Sequence, residues 1–395
     1  MSTTGDLRRI FKARVINPIA ADRVDRYEPG YLIVAGDRVE RVTRDDPRPA
    51  LPFDELIDLG NKTILPGFVD THVHLAQFGI MGVGSGELLT WLNTYTYPEE
   101  ARLANPDYAA KVAREFFDAL TTNGTTTAAV YSSIHEEATD LAFSAAQAKG
   151  IRVLIGKTMM DRNAPEALLE DTEASIARSL RLFEKWDGAD NGRLRYVFTP
   201  RFAGSCSMQL MKRVGKIARE RNAFVQSHLS ENIAEVAWVR QLFPDCTSYA
   251  AVYDSAGMLT KRCIMAHCIH LTSDEIATLS RSQVNVAFCP HSNRILGSGT
   301  MPYRRLRDAG LNISLGTDVA GGPSLAMFEQ MEEAMASANI SWSEALYLAT
   351  LGGAKALGLA DEIGNFESGK DADFLVVDQS SVREVYVRGK RLEGN

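Results

Sequence analysis

The chain has 395 residues, 45% hydrophobic and 24% charged, a balance typical of soluble globular proteins that excludes disordered and fibrous classes. A net charge of -7 and the lack of any lysine or arginine run argue against a nucleic-acid partner. No stretch approaches the ~20 apolar residues that cross a bilayer, and the amino terminus has no apolar signal core, so the expectation is a cytoplasmic protein without a membrane partner.

Between Phe11 and Leu65 the pattern is short β-like runs, "KARVIN" and "YLIVAGDRVERV", with a hairpin signal at Gly36-Asp37 and a Pro-rich loop, "DDPRPALP". From Gly67 the rhythm changes to apolar runs alternating with amphipathic helical stretches. Eight such runs occur, at 67–74, 125–131, 152–160, 194–200, 223–228, 262–268, 284–290 and 312–318. One intervening helix announces its start in "LTSDEIATL", where Thr272 and Glu275 stand at capping-box spacing. A last helix is expected over 343–359, after which β patterns return in "DADFLVVD" and "REVYVRGKRL". The expected fold is α/β: a (β/α)8 TIM barrel over 66–360, with a small β-sandwich domain built from both termini, 1–65 and 361–395. The five cysteines, Cys206, Cys246, Cys263, Cys268 and Cys289, are odd in number and mostly set in apolar runs, as reduced core thiols would be.

His72 and His74 end the first barrel run. Residues i and i+2 of a strand face one side, so both imidazoles aim at one point, a geometry that suits a metal. An isolated pair would equally read as two hydrogen-bonded histidines. Three further runs end in a ligand-type residue: His228 in "AFVQSH", His267 in "IMAH" and Asp318 in "ISLGTD". The carboxyl ends of parallel barrel strands open onto one face, so these residues converge there, and a metal site is the reading.

The segments "PGFVDTHVH", "QSHLSEN", "MAHCIHL" and "SLGTDVAGG" resemble the metal-dependent amidohydrolase superfamily. Together with "TWLNTYTYPEE", "NGTTTA", "TPRF", "LATLGGAKALGL" and "IGNFESGK" they are similar to its guanine deaminase family, over essentially the whole chain. The resemblance and the donor chemistry together imply one Zn2+ per chain, Fe2+ being the alternative, held by His72, His74, His228 and Asp318. Asp318 would also accept a proton from the attacking water, and His267 would hydrogen-bond the developing tetrahedral centre. Glu231 would shuttle a proton to a ring nitrogen. The resemblance also makes the substrate a small purine base, with Arg201 at the guanine carbonyl, Phe202 on or beside the ring, Gln77 reading an edge and Trp91 closing the pocket; His228 and Glu231 would also touch the base. A homodimer is implied in the same way.

Without the resemblance, Glu231 is an ordinary first-turn helix acid, Arg201 a surface arginine, Phe202 and Trp91 core aromatics and Gln77 a solvated amide. His270 is expected to be a supporting or structural residue, and His135 a loop or helix-start residue near the pocket. Lys157 ends the third run; the carboxylate-closed ligand set argues against its bridging two metals. His291 in "CPHSN" stands where similar proteins commonly have asparagine, which leaves its role open. The alternatives are deamination of a related ring, such as an aminotriazine, a pterin or an oxidised guanine, and a non-catalytic scaffold that keeps the barrel.

Overall fold

A computed structural model describes residues 7–392. The amino-terminal strands β1 (Arg8–Ala20), β2 (Arg23–Ala35), β3 (Arg38–Thr43) and β4 (Glu55–Pro66) precede the barrel strands. Those are β5 (Phe68–His74), β6 (Thr125–Tyr131), β7 (Arg152–Gly156), the short β8 (Thr158–Met159), β9 (Leu194–Pro200), β10 (Phe224–Leu229), β11 (Cys263–His267), β12 (Asn285–Phe288) and β13 (Asn312–Leu315). The chain finishes with β14 (Phe374–Asp378), β15 (Ser381–Val387) and β16 (Lys390–Arg391).

The eight main barrel strands are parallel and follow the order β5-β6-β7-β9-β10-β11-β12-β13, with β8 pairing β9 off this path. Several are buried along their whole length, as strands covered by helices on one face and by the barrel interior on the other must be. Helix starts follow ordinary chemistry. Thr272 Oγ1 accepts from Glu275 N (3.3 Å) while Glu275 Oε2 accepts from Thr272 N (2.9 Å), the expected capping box.

The first and last strands do not form a ladder; the barrel is nearly closed by residues at their ends. Asp318 N donates to the carbonyl of His72 (2.8 Å) and His74 N to that of Val319 (3.1 Å). Thr71 Oγ1 adds a bond to the carbonyl of Leu315 (2.8 Å).

The expected last helix is interrupted. It runs Trp342–Tyr347, opens into a π-helical turn at Leu348–Gly352, and resumes at Gly353–Ala356. Here the chain packs directly on the barrel: a Cβ at Gly353 would sit 2.7 Å from Val69 Cβ, and one at Gly352 3.0 Å from the carbonyl of Ile313.

The chain termini combine in a separate seven-stranded mixed sheet, ordered β16-β15-β14-β4-β1-β2-β3. Its small core centres on Phe11, Phe374 and Tyr386, the last two stacked with centroids 4.3 Å apart. Asp371, fully buried, gathers Arg38 (2.6 Å), Arg388 (2.9 Å) and Arg152 of β7, so one carboxylate fastens the sheet to the barrel. All five cysteines are free. Among the described residues no helix is long and apolar enough to cross a membrane.

Candidate active site

Four side chains from two strand ends and one loop meet at a single point. His72 and His74 project from β5 with their Nε2 atoms 3.2 Å apart, and His228 of β10 brings its Nε2 to 3.3 Å from that of His74. Asp318 Oδ1 lies 3.2 Å from His72 Nε2 and 3.3 Å from His74 Nε2. His267, at the end of β11, stands further back, its Nε2 3.8 Å from Asp318 Oδ2 and 3.4 Å from Glu231 Oε2.

This donor set fits a cation. His228 Nδ1 donates to the carbonyl of Arg201 (2.7 Å), which leaves a lone pair on Nε2 facing the nitrogen of His74. Converging lone pairs repel unless a cation lies among them. Burial holds His72, His74 and His228 below the ordinary histidine range, His74 to about 4, so all three are the neutral imidazoles that metals bind. Burial pushes the Asp318 carboxyl up, but the hydrogen bonds and charges of His72, His74 and His267 together outweigh it and hold it well below the carboxylate range.

Local backbone chemistry delivers these groups. Strand β13 ends at Leu315, three residues before the predicted ligand, so Asp318 is presented by a loop and not by the strand. Its φ is 50°, and that of His267 is 70°; both lie in the left-handed region and swing the side chain off the strand direction. Gly316 lets β5 approach, because a Cβ there would stand 2.7 Å from His72 Cβ. Beneath His72, buried Asp70 accepts from Thr317 Oγ1 (2.5 Å), Thr317 N (3.1 Å) and His72 N (3.2 Å). Burial pushes its carboxyl up to about 7.

A cavity opens over this cluster. Its apolar wall includes Leu88, Trp91, Leu92, Phe202 and Leu296, and its polar groups include Gln77, Arg201 and Glu231. Trp91 is fixed by Nε1 donating to the carbonyl of Val83 (3.0 Å), and Phe202 packs against Trp238 with centroids 5.9 Å apart. Arg201 and Gln77 are less free than the sequence implies. Arg201 Nη1 donates to Glu100 Oε2 (2.5 Å), and Gln77 Nε2 donates to Glu100 Oε1 (3.0 Å).

An amidohydrolase family model matches residues 63–392. The chain is 42% identical over 330 residues to the guanine deaminase of Escherichia coli K12, an alignment covering 82% of this chain and 75% of that one. The chain belongs to the amidohydrolase family, among the guanine deaminases. It is 38% identical over 331 residues to the guanine deaminase of Homo sapiens, covering 80% of this chain and 73% of the relative. In three dimensions it matches a C. acetobutylicum guanine deaminase with guanine bound in its active site at TM-score 0.93 and 33% identity, covering 98% of this chain and 100% of the other. A Xanthomonas campestris adenosine deaminase with bound zinc matches at TM-score 0.87 and 25% identity, covering 98% and 92%.

Several residues of this amidohydrolase were invisible as site residues in its sequence. Glu100 follows Glu99 in a plain helical stretch, yet Glu99 turns to Arg102 and Tyr108 while Glu100 turns inward. Asn293 Oδ1 accepts from His267 Nδ1 (2.9 Å), and Glu235 takes the backbone N–H of Glu231 (2.9 Å) and the hydroxyl of Tyr249 (2.6 Å). Ser298 donates to Glu231 Oε1 (3.3 Å), while its carbonyl accepts from His270 Nε2 (2.7 Å); His270 therefore supports the site at one remove. His135 opens the helix Glu136–Lys149 but lines a different groove, beside Arg178 and Arg181, because the chain after β6 turns outward there. Lys157 is bound to Glu170 and Ser175 instead of facing the histidines.

Proposed function

We propose that this chain catalyses the hydrolytic deamination of guanine to xanthine and ammonia, a step of purine catabolism, on a free base in the cytoplasm and as a homodimer. The observation that carries the reading is the continuity of one cavity from His74, His228 and Asp318 to a wall of Trp91, Phe202, Arg201 and Gln77. The guanine deaminases among its relatives and the guanine-bound neighbour support it.

His72, His74, His228 and Asp318 would hold one divalent cation, which we assign as zinc; when bound, it supplies a water acidic enough to ionise near neutral pH. Asp318 takes up the proton that the water gives up. Its second oxygen is held by Ser292 Oγ at 2.6 Å, which fixes the carboxylate while one oxygen works. As the water oxygen bonds to C2, negative charge moves onto the ring and the new oxygen, and His267, whose Nδ1 donates to Asn293, accepts a hydrogen bond from the new hydroxyl through Nε2. Burial, then the charge of Asp318, pushes the Glu231 carboxyl well above its ordinary range, so it enters the reaction as an acid. It protonates the ring nitrogen next to C2; Asp318 then passes the proton it took from water to the exocyclic amine, the C2–NH2 bond breaks as the C2 hydroxyl gives its proton to Glu231, and ammonia leaves. Arg201 meets the carbonyl oxygen, Phe202 flanks the ring, Gln77 reads an edge and Trp91 closes the cavity.

The test is ammonia release by zinc-loaded protein across guanine, an aminotriazine, a pterin and an oxidised guanine. Guanine should be the best substrate, giving xanthine and ammonia in equal amounts. A folded, zinc-loaded sample inert on guanine but active on another ring overturns the substrate assignment.

A further inference from the structure

The polar wall of the cavity is braced from behind by a carboxylate that does not line it. Glu100 is 2% exposed, Gln77 2% and Arg201 4%. One Glu100 oxygen receives Arg201 Nη1 at 2.5 Å and the other receives Gln77 Nε2 at 3.0 Å. Gln77 Oε1 in turn accepts from the backbone N–H of Ala320 (3.2 Å). The amide thus has one orientation, since a flip would set its oxygen against a carboxylate and its NH2 against an N–H. A guanidinium facing a cavity attracts anions unless its charge is met nearby, and here it is met within hydrogen-bond distance.

We propose that Glu100 is a positioning residue for ligand selection. It fixes the donor and acceptor ends of Gln77 and cancels the charge of Arg201, so the cavity favours a neutral aminopurine over the more acidic dioxopurine formed from it. Product leaves because it is the form the cavity holds less well. The identity of the base rests on the guanine reading; the charge balance does not.

The test is binding of xanthine and of hypoxanthine to the full-length protein in mildly alkaline buffer, where xanthine is largely an anion and hypoxanthine largely neutral. Glu100→Gln should raise the ratio of xanthine to hypoxanthine affinity by about tenfold, and the gain should vanish on acidification to where both are neutral. Arg201→Gln/Glu100→Gln, with both charges gone, should return the ratio to that of the wild type. Should Glu100→Gln not fold, the contrast is read between Arg201→Gln, which leaves Glu100 unmatched and lowers the ratio, and the double variant. A ratio within about twofold of wild type in folded Glu100→Gln, or no difference between Arg201→Gln and the double variant, overturns the proposal. Guanine turnover by the wild type is measured separately, and its absence overturns the substrate assignment alone.

Discussion

Ser298 donates its hydroxyl to Glu231 at 3.3 Å. It holds one oxygen of a buried carboxyl whose other oxygen lies 3.4 Å from His267 Nε2. Glu231→Gln preserves the size of this group but removes its acidity. It should keep metal content and melting temperature while lowering kcat by about 10² to 10⁴. Ser298→Ala should lower kcat only several-fold. Equal turnover in wild type and Glu231→Gln would remove Glu231 from the chemistry.

Removal of the cation is a second test. Protein stripped with a chelator should lose activity and regain it on stoichiometric zinc, and His72→Ala and Asp318→Asn should each bind markedly less metal by elemental analysis. A stripped sample that retains full turnover would refute the ligand assignment.

Gly316→Ala would push a methyl group to 2.7 Å from His72 Cβ and 3.0 Å from its carbonyl. Overpacking of this kind costs about 1 to 3 kcal/mol, and because it displaces a ligand it should also weaken zinc affinity. Paired melting and zinc-competition measurements check both effects. Gly297→Ala, where nothing lies within 4 Å but φ is +62°, should lower the melting temperature through backbone strain alone and leave zinc affinity unchanged.

Asp371 joins three arginines inside the contact between the terminal sheet and the barrel. Removing Asp371 leaves buried Arg152 with Glu362 alone, while Arg38 keeps Asp37 and is half exposed, so the cost falls toward the lower end of the about 3 to 5 kcal/mol that breaking a fully buried pair takes. Asp371→Ala should therefore melt well below the wild type, although it lies at the opposite structural unit from the cavity. A change of a degree or less would show the cluster to be solvated.

Asp373 gives a pH dependence. Burial raises its carboxyl from 3.8 to about 6 in the folded chain, against the lowering influence of Arg152 and Arg388. The fold therefore binds this proton more tightly than the unfolded chain does, so stability from this group falls as pH rises from about 4 to about 6 and stays low above that. The full effect is about 3 kcal/mol, at 1.36 kcal/mol per pH unit. Asp373→Asn, which still offers Oδ1 to Arg388 N (2.7 Å in the wild type), should gain melting temperature relative to wild type at pH about 8 and not at pH about 4. A gap that does not change with pH would count against the raised value.

The barrel is legible because its strands leave period-two and buried apolar runs between helical stretches, and these persist whatever lies at their ends. His72, His74 and His228 sit on such strands, and their convergence is a matter of strand periodicity. Asp318 is harder: its run ends at Leu315, and a left-handed residue in a loop, not the strand, carries the carboxylate inward. Glu100 is 101 residues from Arg201 in the chain, and nothing local separates it from Glu99. Asn293 and Ser298 reach their partners across 26 and 67 residues of chain, so no spacing rule points to them, and Glu235, four residues from Glu231, reads locally as an ordinary capping-box acid. The broken last helix likewise reflects how closely Gly352 and Gly353 approach the strands, which only the assembled barrel defines.

The closure of the barrel by His72, His74, Asp318 and Val319 backbone atoms makes the seam and the ligand cluster one object. A cation seated among these side chains would act as a clasp across the first and last strands, which otherwise share no ladder. Loading state should then be written into the mechanics of the seam: amides at the β5 and β13 ends should exchange with solvent slowly when the clasp is fastened and far faster when it is open, with the far side of the ring much less affected.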